Sequence, residues 1–240
     1  MSLEQDKPEP ARSAVRVLVY GMQSSGASLF TYYLAQMPDS LAVLDVWAQY
    51  VTPPLATNSS VITKVTVSAD VDLGDHLASF RPTHTVLFVR DPVTNYPSLD
   101  GKPYRDIGGT LEEKLTILDQ VYRRRESLFD ATVYLEEFLS DPSAVGRQLE
   151  GLGLTLPGDA LEFPRSVDSV RRFAIEQSAW CREFHGLKWD CGNIHADRLT
   201  RLDPVDQEPP PPEIVDRIAA RCPAVLGVYR DKDREQRGEE

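Results

Sequence analysis

"YGMQSSGASLF", residues 20–30, closes an apolar run and opens a helical one. The run before it, Val15 to Gly21, is short and ends at glycine, as a buried parallel strand does. The stretch after it, "SLFTYYLAQM", has helical potential and stops at Met37-Pro38, because proline disfavours helix in the residue before it. Strand, Gly/Ser loop and helix in immediate succession are the setting in which backbone N–H groups and a helix N-terminus bind an anion. The loop has the outline G-x-x-x-x-G-x-S of a phosphate-binding loop, with Gly21, Gly26 and Ser28 in place and Ser24 and Ser25 as added hydroxyl donors. Where a nucleotide triphosphatase carries lysine, this chain has Ala27. Alone, such a loop reads equally as a tight turn. The question it raises is which phosphate it would hold without its lysine.

The rest of the chain alternates strands and helices. "LAVLDVW" (41–47) reads as a second strand, "SVITKVTV" (60–67) as a third with Lys64 near its end, and "HTVLFVRDP" (84–92) as the clearest strand of all. "GTLEEKLTILDQVYRRRESL" (109–128) is an amphipathic helix with Thr110 at its N-cap. A strand up to about Leu135 follows, then a helix opened by Asp141-Pro142 that stops at Gly151 or Gly153. From Pro157 to Pro212 the pattern is weak and loop-rich. "PPEIVDRIAARCPAV" is a last helix, ended by Pro223. The expectation is a single α/β domain spanning 1–240, three-layer, with a mainly parallel sheet, helices on both faces and a P-loop-like architecture. Residues 1–13 and 231–240 read as flexible tails.

Composition narrows the function. The chain has 240 residues, enough for one ordinary domain, and 41% are hydrophobic. A formal net charge of −11 argues against a general nucleic-acid binder, which needs a broad basic face, but leaves room for a nucleotide site with two or three local cations. No apolar run approaches a membrane span, and the charged N-terminus lacks a signal-peptide centre, so the reading is cytoplasmic, with no membrane partner. Three cysteines are too few for a disulfide framework. Cys181, His185, Cys191 and His195 form a loose set without zinc spacing, so free thiols and no metal are expected.

"VRDPVTNYPSL" supplies the charge the loop lacks. Arg90 ends the clearest strand and Ser98 lies eight positions on. Loops at the carboxyl ends of parallel strands converge on the ligand crevice, so Arg90 can bring a bidentate charge to a second phosphate and Ser98 a hydroxyl. The plainer reading of Arg90-Asp91-Pro92 is a surface turn closed by its own ion pair.

Taken together, these motifs resemble the sulfotransferase family that uses 3′-phosphoadenosine 5′-phosphosulfate. That family has an S-G-T-T type loop after its first strand for the 5′-phosphosulfate, which Ser25-Gly26-Ala27-Ser28 resembles. It has an arginine and, eight positions later, a serine for the 3′-phosphate, matched by Arg90 and Ser98. Its strand ending in Y-E-D-L/F followed by D-P is similar to "LEEFLSDP", and its final helix to "PPEIVDRIAARCPAVLGVY". The resemblance spans roughly residues 15–154, and 212–229 more loosely. It implies a sulfuryl transfer to a hydroxyl of a small-molecule acceptor, with no metal, and a nucleotide-binding set of Gln23, Ser24, Ser25, Gly26, Ala27, Ser28, Arg90 and Ser98.

The chain also departs from the family. The cation just before the S-G step is Ser24 here, and the histidine two positions after the strand-three lysine is Thr66. Lys64 is the candidate to meet charge developing on the bridging oxygen. Asp45 is the candidate base, with His185 a more distant one. The plainer readings are a surface lysine and a capping or ion-paired acid. "FHGLKWDCGNI" (184–194) is either a flap bringing Arg182 and Lys188 to the 3′-phosphate or a loop tied down by Trp189. Two alternatives stay open: a nucleotide-dependent phosphotransferase, disfavoured by Ala27, and a non-catalytic nucleotide-binding protein, kept alive by Ser24 and Thr66. The sequence is silent on the acceptor's identity and on oligomeric state.

Overall fold

The strands read from the sequence all form, and all are parallel. A computed structural model of the chain describes residues 14–55, 57–154, 163–184 and 209–237. Strand β1 (Arg16–Gly21) leads through the 22–26 loop into helix α1 (Ala27–Leu34). Strands β2 (Ser40–Val46), β3 (Ser60–Thr66), β4 (His84–Val89) and β5 (Ala131–Tyr134) complete one sheet in the order β2-β3-β1-β4-β5. From β1 the chain goes to the sheet edge at β2, returns inward to β3 beside β1, and then crosses to β4 and β5 on the other side. This reversal places the carboxyl end of β1 at the switch point, where open α/β sheets bind ligands.

Helices cover both faces, giving three layers. Successive strand residues point to opposite sides. Leu18 and Tyr20 join Val61, Val65, Leu87 and Val89 in one core, which packs on Leu115, Leu118 and Tyr122 of α4 (Leu111–Arg123). Val17 and Val19 join Ile62, Val86 and Phe88 in the other, under Phe30 and Tyr33 of α1. Phe138 of α6 (Leu135–Ser140) meets Phe30 edge-on in that second core, with ring centroids 5.2 Å apart. Near-continuous burial of the strands follows from cover on both faces.

Between β3 and β4 runs α2 (Leu73–Phe80), and after β4 comes α3 (Pro92–Asp100). The sequence pattern leaves α3 unread because it holds two prolines. Pro92 sits in the first turn, where its missing N–H is harmless, and Pro97 removes one internal bond. The helix expected over 109–128 breaks at Arg124 into α4 and the one-turn α5 (Arg125–Leu128). Its start is as expected: the Thr110 hydroxyl accepts from the Glu113 amide, and the Glu113 carboxylate accepts from the Thr110 amide. Helix α7 (Pro142–Glu150) is capped by Asp141 and ends just before Gly151.

Two differences lie toward the C-terminus. The weakly patterned region contains α8 (Val167–Gln177) and α9 (Ala179–Phe184). A signal for α8 was present: Ser166 caps it, and Val167, Val170 and Ala174 recur on one buried face. After α10 (Pro212–Arg221), Pro223 does not end the helical region but opens α11 (Pro223–Arg237), which continues into the segment read as a tail. Proline is well placed there, and the amides of Ala224 and Val225 are accepted by the Asp119 carboxylate from α4, at 2.6 and 3.4 Å. Cys181 and Cys222 are buried free thiols, pushed up from the usual thiol range by burial. Cys191, His185, His195, Lys188 and Trp189 lie outside the described residues. Among the described residues no helix is long and apolar enough to cross a membrane.

Candidate functional site

Gly21 ends β1 with Thr66 of β3 on one side and Phe88 of β4 on the other. A Cβ at Gly21 would sit 2.8 Å from the Phe88 carbonyl oxygen, so only glycine lets the loop start so close to the sheet. Two left-handed residues then shape it, Ser24 with φ 57° and Gly26 with φ 90°. A Cβ on Gly26 would lie 2.8 Å from the Leu135 side chain, so this glycine serves packing against α6 as well as its own φ. Between them Ser25 is 1% exposed, and its hydroxyl donates to the Met22 carbonyl at 2.7 Å. That hydroxyl closes the loop on itself, while Ser24, Gly26 and Ser28 are half-exposed.

Helix α1 is N-capped by Gly26 and has no acidic residue in its first turn. Its leading N–H groups have no partner within the helix, and the helix dipole adds partial positive charge there. Ala27, in the place of the triphosphatase lysine, is 1% exposed and packed in the core beneath α1.

Arg90 follows β4 directly and reaches back to this loop. Its Nη1 donates to the Ser24 carbonyl at 3.1 Å and to the Ser98 hydroxyl at 3.1 Å, and its Nε to the Thr94 hydroxyl at 3.4 Å. The Asp91 carboxylate caps α3 by accepting from the Val93 amide at 2.9 Å. With α3 started there, Thr94 and Ser98 lie one turn apart on the face toward the guanidinium. This is the local reason for the eight-residue spacing. Burial lowers the Arg90 pKa from its ordinary value, and the nearby Glu136, Asp91 and Tyr229 oppose that shift. Glu136 accepts from the Asp91 amide and from the Tyr229 hydroxyl of α11, at 3.3 and 2.9 Å. Neither Glu136 nor Tyr229 was singled out as a site residue from the sequence.

Lys64 and Asp45 form an ion pair of 2.7 Å, with side chains 4% and 29% exposed. The pairing depends on a β-bulge. Val43 pairs with Thr63 and Val46 with Val65, so Leu44 and Asp45 together oppose Lys64. In regular pairing Asp45 would face the opposite side of the sheet. The Lys64 ammonium also donates to the Thr66 hydroxyl. Alternation puts Lys64 and Thr66 on the α1 side of the sheet, and Thr66 pairs directly with Gly21.

Gln23 turns its side chain away from the half-exposed rim of the loop, toward Lys114 of α4 and the carbonyls of Tyr104 and Ile107. Lys114 is a residue the sequence reading passed over. The signal was a lysine among Leu111, Leu115 and Leu118 on the apolar stripe of α4. Arg182 lies on α9 and donates to the carbonyls of Ile175 and Glu176; His185 falls outside the described residues. The Tyr122-to-Glu126 basic run is structural, with Arg123 paired to Asp119 and Arg125 over the Tyr122 ring. Among the described residues no group of three His, Cys, Asp or Glu side chains gathers in metal-binding geometry.

No protein-family model matches the sequence, and no curated protein does either. Among solved structures, the chain is similar to mouse sulfotransferase SULT7A1 complexed with PAP, at 11% sequence identity and a TM-score of 0.39. The match covers 70% of this chain and 66% of that one, just under two thirds of the mouse protein's length.

Proposed function

We propose that the chain is a sulfotransferase that takes the sulfuryl group from 3′-phosphoadenosine 5′-phosphosulfate and passes it to a hydroxyl of a small-molecule acceptor. The observation that carries this reading is the single guanidinium of Arg90 in contact with both the loop after β1 and Ser98. One cation there serves two anionic groups of one nucleotide, the 5′-phosphosulfate on the loop and a 3′-phosphate beside Ser98. The amides at the α1 N-terminus and the Ser28 hydroxyl suit a phosphosulfate, whose phosphorus carries one negative charge and needs neither a loop lysine nor a chelated magnesium. In this reading Asp45 takes the acceptor hydroxyl's proton as its oxygen attacks sulfur. Lys64 meets the charge left on the phosphate oxygen as the bridging S–O bond breaks.

A non-catalytic nucleotide-binding protein is the second reading. The hold of Asp45 and Thr66 on the Lys64 ammonium favours it. The test is a thermal-shift series followed by turnover. Adenosine 3′,5′-bisphosphate without magnesium is expected to raise the melting temperature; at a hundred times Kd the gain is about 2.7 kcal/mol. Stabilisation by ATP with magnesium alone would point to a phosphotransferase and overturn the proposal. Binding without release of the bisphosphate from the sulfated donor, across a panel of small alcohols and phenols, would favour the second reading.

A further inference from the structure

Lys114 is 0% exposed, although it is charged at neutral pH by its ordinary chemistry. Its ammonium has three N–H donors, and all three are engaged: by the Gln23 side-chain oxygen at 2.8 Å, the Arg105 carbonyl at 2.6 Å and the Ile107 carbonyl at 2.6 Å. The amide nitrogen of Gln23 completes the arrangement by donating to the Tyr104 and Ile107 carbonyls, at 3.1 and 3.4 Å. The main chain of the loop is held as well. Asn95 donates to the Gln23 carbonyl at 3.2 Å, and Arg90 donates to the next carbonyl, that of Ser24.

Stability alone does not account for such a lysine. Replacing a buried ionic group by a well-packed apolar one is often neutral or stabilising, and the flanking stripe of α4 is leucine. What the ammonium accomplishes is geometric. It fastens the residue that immediately precedes the left-handed Ser24 to a segment far along the chain. The loop can then hold its open conformation without relying on a ligand.

We infer that Lys114 is a positioning residue of the loop: through Gln23 it holds Ser24 and Gly26 in the left-handed conformations that turn the following amides toward the anion. The inference rests on the reading that this loop seats the nucleotide's 5′ group. Lys114 itself makes no contact with the ligand in this account; it acts through Gln23.

The test uses the full chain and adenosine 3′,5′-bisphosphate, titrated calorimetrically, with ligand-free melting measured in parallel. Gln23→Leu removes the link and leaves Lys114 its two carbonyl partners. Gln23→Glu keeps an acceptor for Lys114 but loses the amide that donates to the Tyr104 and Ile107 carbonyls. Folded Gln23→Leu is expected to bind about tenfold more weakly or worse, as loss of a charge-assisted bond implies, and Gln23→Glu, which keeps the Lys114 link, to bind more tightly than Gln23→Leu. Should Gln23→Leu fail to fold, Gln23→Ala removes the same amide without adding volume and is judged by the same two readings. Unchanged affinity in the apolar variant overturns the inference, with or without a lower melting temperature, because a merely structural contact moves melting alone. Wild-type protein that fails to bind the bisphosphate overturns the nucleotide reading and the inference with it. Wild-type binding matched by the apolar variant overturns the inference only.

Discussion

The Lys64 ammonium lies 2.7 Å from the Asp45 carboxylate across two neighbouring strands, and a two-residue bulge in β2 brings them face to face. The pair stands next to Thr66, which is registered with Gly21 at the start of the loop. Of the two, Lys64 is nearly enclosed and Asp45 is partly open to solvent.

If the proposed sulfuryl transfer holds, Lys64→Ala and Asp45→Asn are expected to depress kcat strongly while affinity for adenosine 3′,5′-bisphosphate stays within a few-fold, since in that reaction both groups act on the transition state. Each also loses a charge-assisted bond, so a stability loss of roughly 1.5–3 kcal/mol is expected in denaturant titrations. Lower stability with unchanged turnover of the folded enzyme would make the pair structural.

Arg90 and Ser98 separate by their reach. Ser98 bonds the Arg90 guanidinium, whereas Arg90 also holds the Ser24 carbonyl of the loop. Ser98→Ala is expected to weaken adenosine 3′,5′-bisphosphate by about 1 kcal/mol and leave adenosine 5′-phosphate unchanged. Arg90→Ala should weaken both, and the bisphosphate by roughly 1.5–3 kcal/mol more. Calorimetry that finds equal losses for both ligands in both variants would remove the 3′-phosphate from this position.

Asp119 supports α11 rather than the site. Its carboxylate accepts from Ala224 and Val225 and pairs with Arg123. Asp119→Ala is expected to lower unfolding free energy by about 1–3 kcal/mol, as loss of a helix cap and of buried acceptors implies, with nucleotide affinity unchanged.

Lys114 makes stability depend on alkaline pH in a stated direction. Burial brings its pKa down to about 8 from the ordinary 10.5; Asp106, Asp70 and Glu113 oppose that shift and Arg105 adds to it. Between those two values the unfolded chain binds more protons at this lysine than the folded one. Its contribution to stability therefore rises with pH, by up to about 1.4 kcal/mol per unit. Other groups titrate there too, so the quantity to measure is wild type minus Lys114→Met by urea unfolding at pH 8 and 9.5. The difference should shift in favour of the wild type as pH rises; a flat difference would contradict the lowered pKa.

What the sequence by itself determined is what short-range physics controls. Apolar runs ended by glycine or by Arg-Asp-Pro mark β1 and β4, because buried parallel strands need apolar residues on both faces. The capping box at Thr110 and the Gly21-to-Ser28 loop are legible for the same reason. The pairing of Arg90 with Ser98 rests in the sequence on the eight-residue spacing alone; the helix that produces it, α3, carries two prolines and is not legible there. Only the tertiary structure decided the contacts that join distant segments. No local pattern announces the bulge that turns Asp45 toward Lys64, because a bulge is a property of two paired strands. Lys114 meets Gln23 across 91 positions, and Asp119 caps α11 across 105. On α4 Asp119 looks like an ordinary member of an amphipathic helix, and the place of Lys114 on the apolar stripe marks it as buried without naming its partner. Their roles arise only when the sheet brings the loop, α4 and α11 together, and burial then leaves each charge no partner but the ones it finds there.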